Sequence, residues 1–138
     1  MTDRSQERSA ARRAAQAGFT LIELLVVVAI IGILAAIAVQ ALSRYRQQAY
    51  DAAAIHDLAN AVNAEEAHYA TNQTYVAFTV VGPTTVAIPV TAVSGTVTVE
   101  FQVSGAGAGA TFSGTATSSR GSGKVFSYDS ISDTFVSN

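Results

Sequence analysis

From Leu24 to Ser43 the chain carries 20 residues without a charge, most of them Val, Ile, Leu and Ala. As a helix rising ~1.5 Å per residue, such a run covers about 30 Å, the hydrocarbon thickness of a bilayer. It holds one glycine, Gly32, and no proline, so helix is the form in which it can satisfy its backbone in lipid. A soluble core could absorb this helix only by surrounding it, and the remaining sequence offers no second element apolar enough. The run predicts a transmembrane helix over about residues 20–43. Arg4, Arg8, Arg12 and Arg13 precede it, and only Arg44 and Arg46 follow closely. That excess predicts a cytoplasmic N-terminus and a single pass.

An acid, Glu23, stands against the start of the run. An ionised carboxylate at membrane depth costs ~2.5–3.5 kcal/mol on insertion scales, so it calls for a partner. The plainer role is an interfacial acid that reaches back to the headgroups. Three kinds of export signal fit the basic–apolar order. An ordinary secretory signal could be cut at Ala36-Ile37-Ala38, but its basic segment would be long and Glu23 spoils its apolar start. A twin-arginine signal at Arg12-Arg13 would be followed by Ala-Ala-Gln and by a run more apolar than such signals need. The third possibility is cleavage ahead of the run, which leaves the run in the mature protein.

The third possibility is where the residues resemble a family. Gly18-Phe19-Thr20-Leu21-Ile22-Glu23-Leu24-Leu25 is similar to the processing motif of type IV prepilins and of the pseudopilins of type II secretion. The resemblance is close from Ala17 to Arg46, loose through to Tyr75, and only general beyond. It implies a leader of residues 1–18, removed by prepilin peptidase after Gly18, and methylation of the new amine on Phe19. It also implies that Glu23 is the residue needed for subunit assembly. Physics supports that role, because cleavage creates a cation at Phe19, four residues before Glu23. Paired between neighbours, the two charges would set the register of one subunit against the next. One departure stands at Gln40, near which the family often has a proline that bends the helix. A straighter helix is expected here.

Beyond the run, Leu42, Tyr45, Ala49, Ala52, Ile55, Leu58, Ala59, Val62 and Tyr69 recur at spacings of three and four. This predicts a helix continuing to about residue 70, with Thr71-Asn72-Gln73-Thr74 as its stop and with Asp51, Asp57, Glu65 and Glu66 on the solvated side. A helix over residues 20–70 would be roughly 75 Å long. Its outer half must bury its apolar stripe on the rest of the chain. From Tyr75 onward Val, Thr, Ser, Gly and Phe dominate, and Val97, Val99, Phe101 and Val103 alternate with polar residues. Strands are expected at 76–81, 86–93, 97–103, 111–117, 125–128 and 134–136, separated by Gly-, Ser- and Pro-rich turns. The expected fold class is α+β: a long N-terminal helix (19–72) on a small antiparallel sheet head (73–138), the pilin fold of the family it resembles.

There is no cysteine, so the head must hold by packing rather than by a disulfide. Past residue 18 four basic residues face eight acidic ones, a formal charge of −4. That balance argues against strong nucleic-acid binding, and Arg120 and Lys124 read as parts of a solvated Gly/Ser loop. No catalytic residues are expected. His56 and His68 are too far apart on a helix for a shared metal, and Glu65 with His68 makes only two candidate ligands. Asp129 and Asp133 read as a turn rather than a calcium loop. Neither a metal nor a cofactor is expected, and the chain reads as no enzyme. Asn72-Gln73-Thr74 matches the glycosylation triplet, which alone is weak.

The reading is a filament subunit: a homopolymer drawn from the inner membrane by a pilus or secretion assembly machinery, with membrane lipid as its partner before assembly. The filament would be extracellular, as a type IV pilus for adhesion, motility or DNA uptake. The alternatives are a periplasmic pseudopilin of type II secretion, or a membrane-anchored or exported binding module that never polymerises.

Overall fold

The computed structural model describes residues 18–87 and 90–138. Helix α1 runs unbroken over Leu21–Asn72. The strands are β1 (Phe78–Val81), β2 (Thr85–Ala87), β3 (Val90–Ala92), β4 (Val97–Ser104), β5 (Thr111–Ser118), β6 (Val125–Asp129) and β7 (Thr134–Ser137). Two compact units divide the chain, one ending at Ala41 and one spanning Leu42–Asn138.

In the first unit α1 is exposed along its whole length. Leu24, Ile30 and Ile37 are 59, 52 and 68% exposed. The helix meets the length and apolarity needed to cross a membrane, and none of its most apolar window is covered by protein. Gln40 lies within continuous helix, as the lack of a proline there predicts.

In the second unit α1 packs on an antiparallel five-stranded sheet of order β1-β4-β5-β6-β7. Strands β4 to β7 form a meander. β1 joins its edge by pairing with β4, Phe78 opposite Phe101 and Val80 opposite Val99. The strand expected over 86–93 is corrected to two, β2 and β3, which pair with each other as a separate hairpin. Ile88 and Pro89, between the two in sequence, lie outside the described residues. The loop at 105–109 contains a short 3₁₀ turn, Gly107–Gly109.

The sheet's inner face is built in rows. Phe78, Phe101, Gly114, Tyr128 and Phe135 stand side by side across all five strands. The rings make a chain of contacts, with centroids 4.9 Å apart for Phe78–Phe101, 5.5 Å for Phe101–Phe112 and 5.6 Å for Phe112–Tyr128. Tyr75 joins at 4.7 Å from Phe112 and stacks on Tyr69 of α1 at 4.4 Å. Against these rings α1 buries small residues, Ala54 and Ala61, together with Leu58 and Val62. This corrects the expected stripe. Ala52 and Tyr45 are exposed and Ile55 is 42% exposed, while Ala54 and Ala61 carry the contact. Wide rings on the sheet favour small residues on the helix, since only those let the two backbones approach.

Two acids expected on the solvated side are in fact buried, Asp57 at 7% and Glu65 at 0% exposure. Each accepts a backbone N–H from the head. Ser94 donates to Asp57 Oδ2 at 2.7 Å, and Val76 donates to Glu65 Oε2 at 3.2 Å. Asp51, half-buried, does the same for Ser122 at 2.9 Å. Loop segments with no strand partner for their amides thus find it on the helix. The helix ends as expected: Gln73 takes a left-handed φ of 56°, and its N–H closes the last turn on the Tyr69 carbonyl at 2.8 Å.

Glu65 Oε1 is buried with no hydrogen-bond partner. Burial pushes the Glu65 pKa above the usual carboxylate value; the Val76 N–H and nearby His68 pull it down less, and Glu66 adds to the rise. A raised native pKa means the native state holds the proton in a pH range where the unfolded chain has released it. Glu65 therefore supports stability below the unfolded-state value and loses that support as pH rises through the native one. Glu65→Gln keeps an acceptor for Val76 and removes the charge. The variant should melt above wild type at pH 7.5, by up to the ~1–3 kcal/mol that an unsatisfied buried group costs. At pH 4 the gap should close. Thermal melts of the full chain in detergent check this, and an equal gap at both pH values would refute the titration.

Candidate processing and assembly site

Helix α1 needs a start, and Thr20 and Glu23 supply it. Thr20 precedes the first helical residue, and the two side chains serve each other's backbone. Thr20 N–H donates to Glu23 Oε2 at 2.8 Å, while Glu23 N–H donates to Thr20 Oγ1 at 3.2 Å. The Thr20 hydroxyl adds a bond to the same carboxylate oxygen at 2.8 Å. This is a reciprocal capping box, which satisfies two of the four N–H groups that a helix start leaves open. Sequence reading missed it, although Thr-x-x-Glu ahead of an apolar run is its signature.

The capping box changes what Glu23 does in the uncleaved chain. Its carboxylate is held at the helix start, where the backbone dipole favours a negative charge. No charged side chain is needed for this, so the acid is partnered before any second molecule arrives.

Ahead of the cap the chain is open. Phe19 is 93% exposed, and nothing lies within 4 Å of where a Gly18 side chain would begin. Gly18, Phe19 and Thr20 are outside regular secondary structure. The Gly18–Phe19 bond is thus uncovered by the rest of the described chain. Of the leader expected over residues 1–18, residues 1–17, including Arg4, Arg8, Arg12 and Arg13, lie outside the described residues. Tyr45, placed on the apolar stripe by its spacing, is 67% exposed.

The other polar candidates have local tasks. His68 Nδ1 bonds the Thr74 carbonyl at 2.9 Å, just past the helix end. Asp129 Oδ1 accepts the N–H groups of Ile131 and Ser132 at 2.8 and 3.2 Å, shaping the β6–β7 turn. Asp133 accepts the Tyr128 hydroxyl at 3.0 Å. Burial, then that bond, pushes the Tyr128 pKa up to about 12, so the hydroxyl remains a donor at ordinary pH.

Residues 13–39 match the family model for the prokaryotic N-terminal methylation motif. The matched segment contains Gly18, Phe19, Glu23 and most of the apolar run. The chain carries the signal motif of type IV pilins and pseudopilins. No solved structure matched the chain.

Proposed function

We propose that this chain is the structural subunit of a type IV pilus, cut by prepilin peptidase after Gly18, methylated on Phe19 and polymerised through α1. The methylation motif in register with an uncovered apolar helix carries this reading. The precursor spans the inner membrane once, with its N-terminus in the cytoplasm. On assembly the apolar surface exchanges lipid for neighbouring helices. Lipid tails are as apolar as Leu, so packing and specific pairing must drive that exchange rather than escape from water.

Glu23 supplies the specific pair. Cleavage at Gly18 places a cation at Phe19, and Glu23 of one subunit pairs with the Phe19 amine of the next. The Thr20 cap holds the carboxylate at the helix start until that amine arrives. The preference for a pilus over the type II secretion pseudopilin, some members of which use an acidic calcium loop, rests on the reading of Asp129 and Asp133 as a turn. On this reading the chain has no catalytic activity of its own.

Mass spectrometry of the N-terminal peptide from the producing cell tests the processing step. The expected mature chain begins at Phe19 and bears one methyl group. A chain beginning near Val39 would mean an ordinary signal peptide and would overturn the reading. Sheared surface filaments built of this chain would separate the pilus from the secretion piston and from a non-polymerising module.

A further inference from the structure

We propose that Arg44, Arg46, Arg120 and Lys124 form a basic collar that rests the head on anionic phospholipid headgroups while the precursor is anchored. This rests on the reading of residues 24–43 as membrane-spanning. These four are all the Lys and Arg residues from Gly18 onward, and all are exposed. Two come from α1 and two from the β5–β6 loop, far apart in sequence.

The loop is fastened to the same stretch of helix. Ser122 donates its N–H and its hydroxyl to the two oxygens of Asp51, at 2.9 and 2.6 Å. The Arg120 guanidinium lies over the Tyr50 ring, 5.2 Å from its centre. Gly121 permits this, because a Cβ there would run into the Asp51 carboxylate. Ser43 ends the uncharged run, and Tyr50 follows seven residues later, about 10 Å along the helix. Salt screens charges beyond a Debye length of about 8–10 Å. Only cations near the end of the run can feel a headgroup: Arg44 and Arg46 follow it directly, Arg120 is held over Tyr50, and Lys124 stands two residues past the Ser122 that Asp51 holds.

The acids are held elsewhere or occupied. On α1, Asp51 has both oxygens taken by Ser122, and Asp57 is buried and holds Ser94. Glu66 stands fifteen residues past Asp51 on α1, bonded to the Tyr75 hydroxyl at 3.2 Å. A chain with an acidic total thus presents a basic end. Tyr45, exposed between Arg44 and Arg46, is the residue type that settles at the membrane–water boundary beside long basic side chains. This composition favours lipid over a second copy of the chain.

The chain has no cysteine, so Ser119→Cys gives a single labelling site in the loop. The labelled full chain is placed in phosphatidylcholine vesicles, with and without phosphatidylglycerol, and a headgroup-bound quencher is added. Quenching should at least double with phosphatidylglycerol. It should return to the neutral-lipid level in 0.5 M salt, and in the Arg120→Gln/Lys124→Gln variant. Equal quenching in both lipids would overturn the collar. Quenching that follows the number of copies per vesicle rather than lipid charge would overturn it in favour of contact between copies. Release of the wild-type chain by alkaline carbonate would overturn the spanning reading and the collar with it.

Discussion

Glu23→Ala is expected to abolish filament assembly while leaving membrane insertion and cleavage after Gly18 intact. The carboxylate is the partner proposed for the Phe19 amine, and removing one member of a desolvated ion pair costs ~3–5 kcal/mol because the other charge is left uncompensated. Each 1.4 kcal/mol is tenfold in an equilibrium, so sheared filament should fall by more than a hundredfold. Alanine also breaks the capping box with Thr20, at about 0.5–2 kcal/mol for a lost cap. A frayed first turn could by itself impair assembly, so the alanine variant does not separate the two causes.

Glu23→Gln does. Glutamine can still accept the Thr20 N–H and close the same box, but it has no charge for the amine. If pairing governs assembly, glutamine should fail nearly as badly as alanine. Near-normal filament yield from Glu23→Gln would show that the cap, and not the charge, is what assembly uses. Quantifying sheared filaments against cleaved subunit in the membrane reads both variants.

Leu58→Ala should unfold the head at physiological temperature or come close to it. Leu58 is fully buried at the centre of the helix–sheet contact. Removing a buried leucine costs ~2–5 kcal/mol, the upper part applying where the surroundings cannot collapse. Here the neighbours are rings locked in a row and alanines with nothing to extend, so the upper part is expected. A domain stabilised by about 5–15 kcal/mol has little to spare. A drop in melting temperature of under about 5 °C for the full chain in detergent would refute this account of the core.

Gly114 is the other half of that contact. A Cβ at this position would stand 2.7 Å from Phe101 Cζ and 3.0 Å from Leu58 Cδ1. Glycine in a strand interior ordinarily weakens it. Here it makes the hollow that admits Leu58 against the aromatic row.

The α+β class, the extent of α1, its stop after Asn72 and the five strands of the main sheet were legible without coordinates. So was the Gly18–Glu23 motif. These are local matters: an uncharged run of bilayer length, an unbroken stretch without Gly or Pro, and alternation such as Val97 to Val103 each act within a few residues. The 86–93 segment misled because apolar Val, Ala and Ile run on with no visible turn signal except Pro89. The Thr20–Glu23 cap is also a local matter, written as Thr-x-x-Glu ahead of an apolar run.

What the sequence could not announce is which side of the outer helix faces inward. Asp57 and Glu65 look solvated in a list of residues, because burying an acid is costly unless a donor is waiting. The donors are the N–H groups of Val76, brought back by the chain reversal between α1 and β1, and of Ser94, in the β3–β4 connection. Gly114 likewise reads as a weak point in β5 until Phe101 and Leu58 close over it from two other elements. The sequence by itself determined a membrane-length helix with a processing motif and a β-rich head. The tertiary structure decided the rotation of that helix, since rotation depends on small residues facing rings and carboxylates facing free amides.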